Sequence, residues 1–421
     1  MNPAAAVRRR SYQSFIMALT VSRIASGAVA MAWPATTAQV MVHWSLNPGQ
    51  VGLVQTVANV AHGLALFVAG WGADRYGAAR VFRVSNWLAA VAFVGCVVFA
   101  RTGPAASILF ALLLACLGGA YAPALMLAAG NAPEGRRGAA VGWTLGGAFF
   151  GYFVVLVGAG LAGPNSPPQY LWCWLVPLAL LAALTGDAAA RRCAPPPKSQ
   201  PASRSDLGKI LRSRTSVLLT LGYSAHAWEL LGMWAWAPAF LLLVLHEGGM
   251  APVLAGLVTA AALHLSGALA TLTSGAMSDR CGRRPTLVAL ALGGAACSFA
   301  FGWLQPFGAA VLVLVAVLYG FTTVGDSVVL KTAMVEATPP DMLGRVLAVR
   351  SIVGFSVGAL APGAVGLVLD ATNPGDGVPQ VWGWGFAALG CGGLLAAGCG
   401  LGLRPARAGR EALEEVGPSG P

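Results

Sequence analysis

Long apolar runs, broken at short intervals by polar and glycine-containing segments, follow one another along almost the whole chain. A bilayer hydrocarbon core about 30 Å thick requires roughly 20 apolar residues per crossing helix. The chain supplies twelve such runs. The first six are predicted as helices over Ser14 to Thr36, Val51 to Trp71, Val84 to Ala100, Ala105 to Ala129, Ala139 to Gly160 and Tyr170 to Ala190. The second six follow over Ser216 to Leu245, Ala251 to Met277, Thr286 to Leu304, Phe307 to Val335, Val346 to Leu369 and Trp382 to Leu403. The expected fold is therefore an all-α integral membrane protein of twelve transmembrane helices.

Composition agrees with the pattern. Apolar residues fill 57% of the 421 positions and charged residues only 10%, so a soluble fold would lack polar surface to cover itself. The net charge of +11 would suit a nucleic-acid partner if the basic residues formed one patch, but they fall in alternate loops. Twenty-three of the 26 lie on one side of the predicted spans, including Arg350, with Arg101 opposite and Arg23 and Lys331 inside spans. Positive residues resist translocation, so both termini are expected in the cytoplasm, in a bacterial-type inner membrane. The first apolar run carries Arg23 and Pro34 and reads as a helix, not a cleaved signal. The eight cysteines show no metal-ligand spacing, and neither a metal nor a cofactor is expected.

The one long break, from Arg191 to Thr215, contains Pro195, Pro196 and Pro197 and divides the spans six and six. This predicts an N-terminal bundle over residues 1–190, a connecting loop over 191–215, a C-terminal bundle over 216–405 and a tail over 406–421. The halves also repeat each other. Asp74-Arg75-Tyr76-Gly77 after span two matches Asp279-Arg280-Cys281-Gly282 after span eight. A weaker echo links the Pro133 to Gly138 segment before span five with the Pro340 to Arg345 segment before span eleven.

These loop motifs, with twelve spans, resemble the major facilitator superfamily of secondary transporters over essentially the whole chain. Gly70, Asp74, Arg75, Gly77 and Arg80 follow the family's loop signature, with Ala78 where a basic residue is usual. Gly275, Asp279, Arg280, Gly282, Arg283 and Arg284 follow it more fully. The resemblance implies two pseudo-symmetric six-helix bundles and a cytoplasmic gate. In it the Asp74 loop, with Arg75, meets the start of span eleven at Arg345, and the Asp279 loop, with Arg280, meets the start of span five at Arg137.

Ionisable groups at bilayer depth are costly and point to function. Arg23 lies in span one; Tyr223, His226 and Glu229 follow at three-residue steps in span seven; Asp326 and Lys331 share span ten, with Glu336 near its end. In the family, spans one, four, seven and ten line the central path. Arg23 is expected to hold an anionic group of the substrate, with Tyr121, Tyr223 and Trp228 shaping the pocket. His226, Glu229 and Asp326 are the candidates for proton coupling. The bland alternative is that these groups only cross-link helices. His62 and His264 are expected to satisfy local backbone or hydroxyl partners.

Gly142, Gly146, Gly147 and Gly151 in span five, and Gly354, Gly358, Pro362 and Gly366 in span eleven, predict two close-packed helices. Span five lacks the Gly-Pro pair common in drug-exporting members of the family. The leading expectation is a proton-coupled, monomeric carrier of a small anion. Efflux of drugs or metabolites by proton antiport is the alternative, and a non-transporting receptor the third. Short loops without a zinc spacing, phosphate loop or nucleophile elbow argue against an enzyme.

Overall fold

The computed structural model of the protein describes residues 3–133, 136–163, 165–193, 207–339, 342–374 and 378–403. Twelve of its helices are long and apolar enough to cross a membrane. They are α1 (Pro3–Ala30), α2 (Pro48–Tyr76), α3 (Ala78–Phe99), α4 (Gly103–Asn131), α5 (Arg137–Ala162) and α6 (Pro168–Ala190), then α7 (Arg214–Glu247), α8 (Pro252–Cys281), α9 (Arg283–Phe301), α10 (Ala309–Glu336), α11 (Leu343–Thr372) and α12 (Gly383–Gly402). The centre of the expected connecting loop, residues 194–206, and the expected tail, 406–421, lie outside the described residues. So do Glu134, Gly135, Pro340 and Asp341 of the weaker loop repeat.

Local signals explain several boundaries. Asn47 and Gln50 form a reciprocal capping box at the start of α2, where Pro48 needs no amide partner. Thr102 and Ser213 cap α4 and α7 through their side-chain oxygens. Between α2 and α3 the chain turns at Gly77 (φ 88°), and between α8 and α9 at Gly282 (φ 90°), a region closed to most side chains. The Asp-Arg-x-Gly repeat is thus one backbone turn used twice.

Two spans depart from a plain helix. The first continues past α1 through short helices Ala32–Ala35 and Thr37–Trp44, eight residues beyond the expected end. Pro34 has no amide to offer the carbonyl of Ala30, and the helix breaks at Met31. In α8 a π-helical turn spans Ala261–Leu265.

Helices α1 to α6 pack chiefly on one another, and so do α7 to α12. Large apolar side chains such as Phe67, Leu88, Val91, Leu272 and Leu367 stand exposed on the outside, where lipid would cover them. Exposed Trp71 and Tyr76 at the end of α2, and Tyr170 and Trp174 at the start of α6, mark the two interfacial levels. An even number of crossings puts the start of α1 and the end of α12 on one face, called here the basic face.

The halves meet on the opposite face, backbone to backbone. At α5 and α8 a Cβ on Gly160 would stand 2.7 Å from the Cα of Gly256. At α2 and α11, Gly52 lies against the Pro362 carbonyl, and Gly366 against that of Pro48. Asp370 Oδ2 accepts from the Gly49 amide at 3.0 Å, in the first turn of α2. The small face predicted on span five is split in use. Gly147 and Gly151 seat α5 on α1, whereas Gly142 and Gly146 have nothing within 4 Å.

Candidate functional site

Between the halves, deep among the helices, stands a set of polar side chains. Arg23 of α1 is only 7% exposed, and its guanidinium carbon lies 5.5 Å from the ring centre of Tyr121 on α4. It also interacts electrostatically with Tyr152 on α5. Among the described residues no carboxylate pairs with Arg23, and its recorded hydrogen bond is a long one, 3.4 Å to Ser26 Oγ. His62, Tyr121 and Tyr152 are each partly exposed although helices surround them, as befits the wall of an open chamber.

From the second half, Tyr223 of α7 faces this chamber and His226 lies beside it, ring centres 5.8 Å apart. His226 Nδ1 is 2.7 Å from Asp326 Oδ1 on α10, and both side chains are fully buried. The pair is off-line for a hydrogen bond, leaving acceptor capacity on both Asp326 oxygens. Glu229 points elsewhere. Ser298 Oγ donates to Glu229 Oε1 at 2.6 Å and stands 2.6 Å from Tyr319 Oη. A hydroxyl carries one proton, so Tyr319 donates to Ser298 while Ser298 donates to Glu229. Glu229 Oε2 has no partner and occupies space left by Gly294 and Gly393.

The three-residue steps explain this divergence. Each step falls about 60° short of a full helical revolution. The stripe therefore winds from the chamber at Tyr223, past Asp326 at His226, into the interior of the second bundle at Glu229. Trp228 turns away from Tyr223. Its Nε1 donates to the Ala388 carbonyl at 3.0 Å, fixing it in the seam between α7 and α12, about 140° around α7 from Tyr223.

Other expectations also change. Arg350, which its position near a span end groups with the loop arginines of the basic face, is 3% exposed, nearly two turns inside α11, with its guanidinium carbon 4.0 Å from the ring centre of Tyr223. Glu336, near the end of α10, bonds Arg283 at the start of α9. His62 does meet a backbone partner, the Leu114 carbonyl at 2.9 Å. His264 does not: it sits in the π-helical turn, fully buried, with neither ring nitrogen bonded, 5.4 Å from the ring centre of Tyr152. No composition signal marks a π turn, so sequence alone gives no access to that placement.

The six residues expected to gate the basic face, Asp74, Arg75, Arg137, Asp279, Arg280 and Arg345, are all exposed. Asp279 bonds Arg283 at 2.6 Å, one helical turn along its own segment, instead of Arg137. Lys331, near the basic-face end of α10, is exposed within electrostatic range of Asp326 and Arg350. On the basic face these side chains stand exposed, whereas the opposite face is closed by backbone contact.

The sequence matches the family model of the Major Facilitator Superfamily over residues 15–362 and 230–419. The chain belongs to the major facilitator superfamily. It is 25% identical over 343 residues to the probable 4-methylmuconolactone transporter of Cupriavidus pinatubonensis (strain JMP 134 / LMG 1197), covering 77% of this chain and 76% of that one. In fold it resembles a mutant of the nucleoside transporter NupG, with TM-score 0.73, 14% identity, and coverage of 92% and 99%. It also resembles a D-xylose-proton symporter, with TM-score 0.73, 16% identity, and coverage of 92% and 96%.

As a major facilitator protein the chain is a multi-pass secondary transporter and not an enzyme. The geometry suits that activity. A carrier needs a midplane site reached from one face at a time, and rigid halves that can rock about it. Here the chamber lies between two six-helix bundles joined on the face opposite the chain ends.

Proposed function

We propose that the protein carries a small anion across the inner membrane in symport with protons, with both chain ends and the basic face in the cytoplasm. One observation carries the substrate reading: Arg23, buried between the halves with no carboxylate partner among the described residues, over the ring of Tyr121. An uncompensated guanidinium at that depth is stable when an anion neutralises it. Similarity to a probable 4-methylmuconolactone transporter supports a small organic solute.

Proton coupling falls to His226, Asp326 and Glu229. Buried carboxyl oxygens without donors on Asp326 and Glu229 are places where a transported proton resides. The Tyr319–Ser298–Glu229 chain holds one carboxyl oxygen in place and leaves the other free to change state. The exposed Asp74, Arg75, Arg137, Asp279, Arg280 and Arg345 would come together when the chamber opens to the other side. The protein acts as a monomer, each chain enclosing its own path.

Proteoliposomes loaded with buffer and given an inward proton gradient test this with a panel of radiolabelled anions, cations and neutral solutes. The expected result is uphill uptake of an anion, lost in Arg23→Ala. Glu229→Gln should abolish gradient-driven accumulation while solute exchange across the membrane persists. Anion binding that survives Arg23→Ala unchanged would sink the site assignment.

A further inference from the structure

The chamber holds a second cation for which the anion reading has no use. Arg350 enters from α11, in the bundle opposite Arg23, and lies face-on to Tyr223 at 4.0 Å. Its Nε and Nη1 are buried without any hydrogen-bond partner. An arginine serving only to brace α7 against α11 would have those donors engaged, because a buried unmade bond to a charged donor is destabilising. Asp326 lies against His226 and Glu229 against Ser298, and among the described residues no carboxylate pairs with Arg350. Lys331 adds positive charge on the same side. Tyr121 lies in electrostatic range of both Arg23 and Arg350, so the two cations address one space.

We propose that Arg350 and Tyr223 form the second half of the substrate site, facing Arg23 and Tyr121, and that the site takes a small dicarboxylate with one carboxylate on each guanidinium. This rests on the anion reading and narrows it. A monoanion neutralises one guanidinium and leaves the other bare. A dianion neutralises both, and its two ends join the first bundle to the second, so binding itself draws the separated halves together. The planar fork of arginine suits a carboxylate bidentately, and each ring beneath it fixes its orientation.

The test is equilibrium binding to the full chain in lipid nanodiscs, using succinate, glutarate and adipate against the monomethyl ester of each. The wild type should bind at least one diacid about tenfold or more tighter than its monoester. Arg350→Gln should bring that diacid down to the affinity of the monoester and leave the monoester nearly unchanged. Arg23→Gln should weaken both. If Arg350→Gln does not give folded protein, Tyr223→Ala removes the ring beneath the guanidinium and carries the same expectations. Equal binding of diacid and monoester by the wild type overturns the proposal, as does an equal loss of both in Arg350→Gln, and either leaves the anion reading standing. Binding of neutral or cationic solutes with no carboxylate bound at all removes both.

Discussion

Gly160 and Gly256 set how tightly the halves close on the face away from the chain ends. A methyl group at position 160 would lie 2.5 Å from the Pro252 carbonyl oxygen and 2.7 Å from the Gly256 Cα, where ordinary contact begins at 3.4 Å. The obstruction is backbone, which cannot swing aside, so Gly160→Ala forces the two helices apart by about 0.7 Å or more. Overpacking of this kind costs about 1–3 kcal/mol. The penalty falls on the closed arrangement alone, since the glycines separate when this face opens. The distribution between the two states should therefore shift roughly 5- to 150-fold toward the one open here. Leu243 lines a small cavity at this seam together with Gln39 and His246. A single Leu243→Cys in an otherwise cysteine-free background should be labelled faster by an impermeant maleimide once Gly160→Ala is added. Gly142→Ala is the control: it has open space around it and should leave labelling unaltered. Equal labelling with and without Gly160→Ala would refute the claim that backbone contact holds this face shut.

Three further outcomes follow from the packing. Trp228→Phe should lower thermal stability by about 1 kcal/mol through the lost bond to Ala388 and leave KM unchanged, which uptake kinetics and a thermal melt check together. Asp370→Asn removes a carboxylate from the first turn of α2 and should weaken the same seam by about 0.3–1 kcal/mol, seen as faster Leu243→Cys labelling. Arg283→Ala breaks contacts with Asp279 and Glu336, whose side chains are largely exposed, and should change stability by less than about 1 kcal/mol in a denaturation series.

The number and order of spans were legible because lipid demands an unbroken apolar run for every crossing, a signal that no tertiary contact can mask. The repeated turn was legible for a related reason: a positive φ at Gly77 and Gly282 requires a residue type that is easy to see. The site was only partly legible. Arg23 and Tyr121 lie close together, but a rule that assigns arginines near span ends to loops misplaces Arg350, because α11 begins at Leu343 and the helix axis carries residue 350 inward. Spacing in threes gathers Tyr223 and His226 and then loses Glu229, since a small angular lag accumulates along a helix. Trp228 followed Tyr223 in sequence without sharing its direction.

Among the described residues, the seam opposite the chain ends rests on glycine and carbonyl contacts, together with the Asp370 carboxylate on the Gly49 amide. Mobile ions screen charges in water and leave steric contact untouched. The resting bias of this carrier should therefore be nearly indifferent to the salinity of the solution bathing it, an insulation that a gate of exposed ion pairs on that side would not provide.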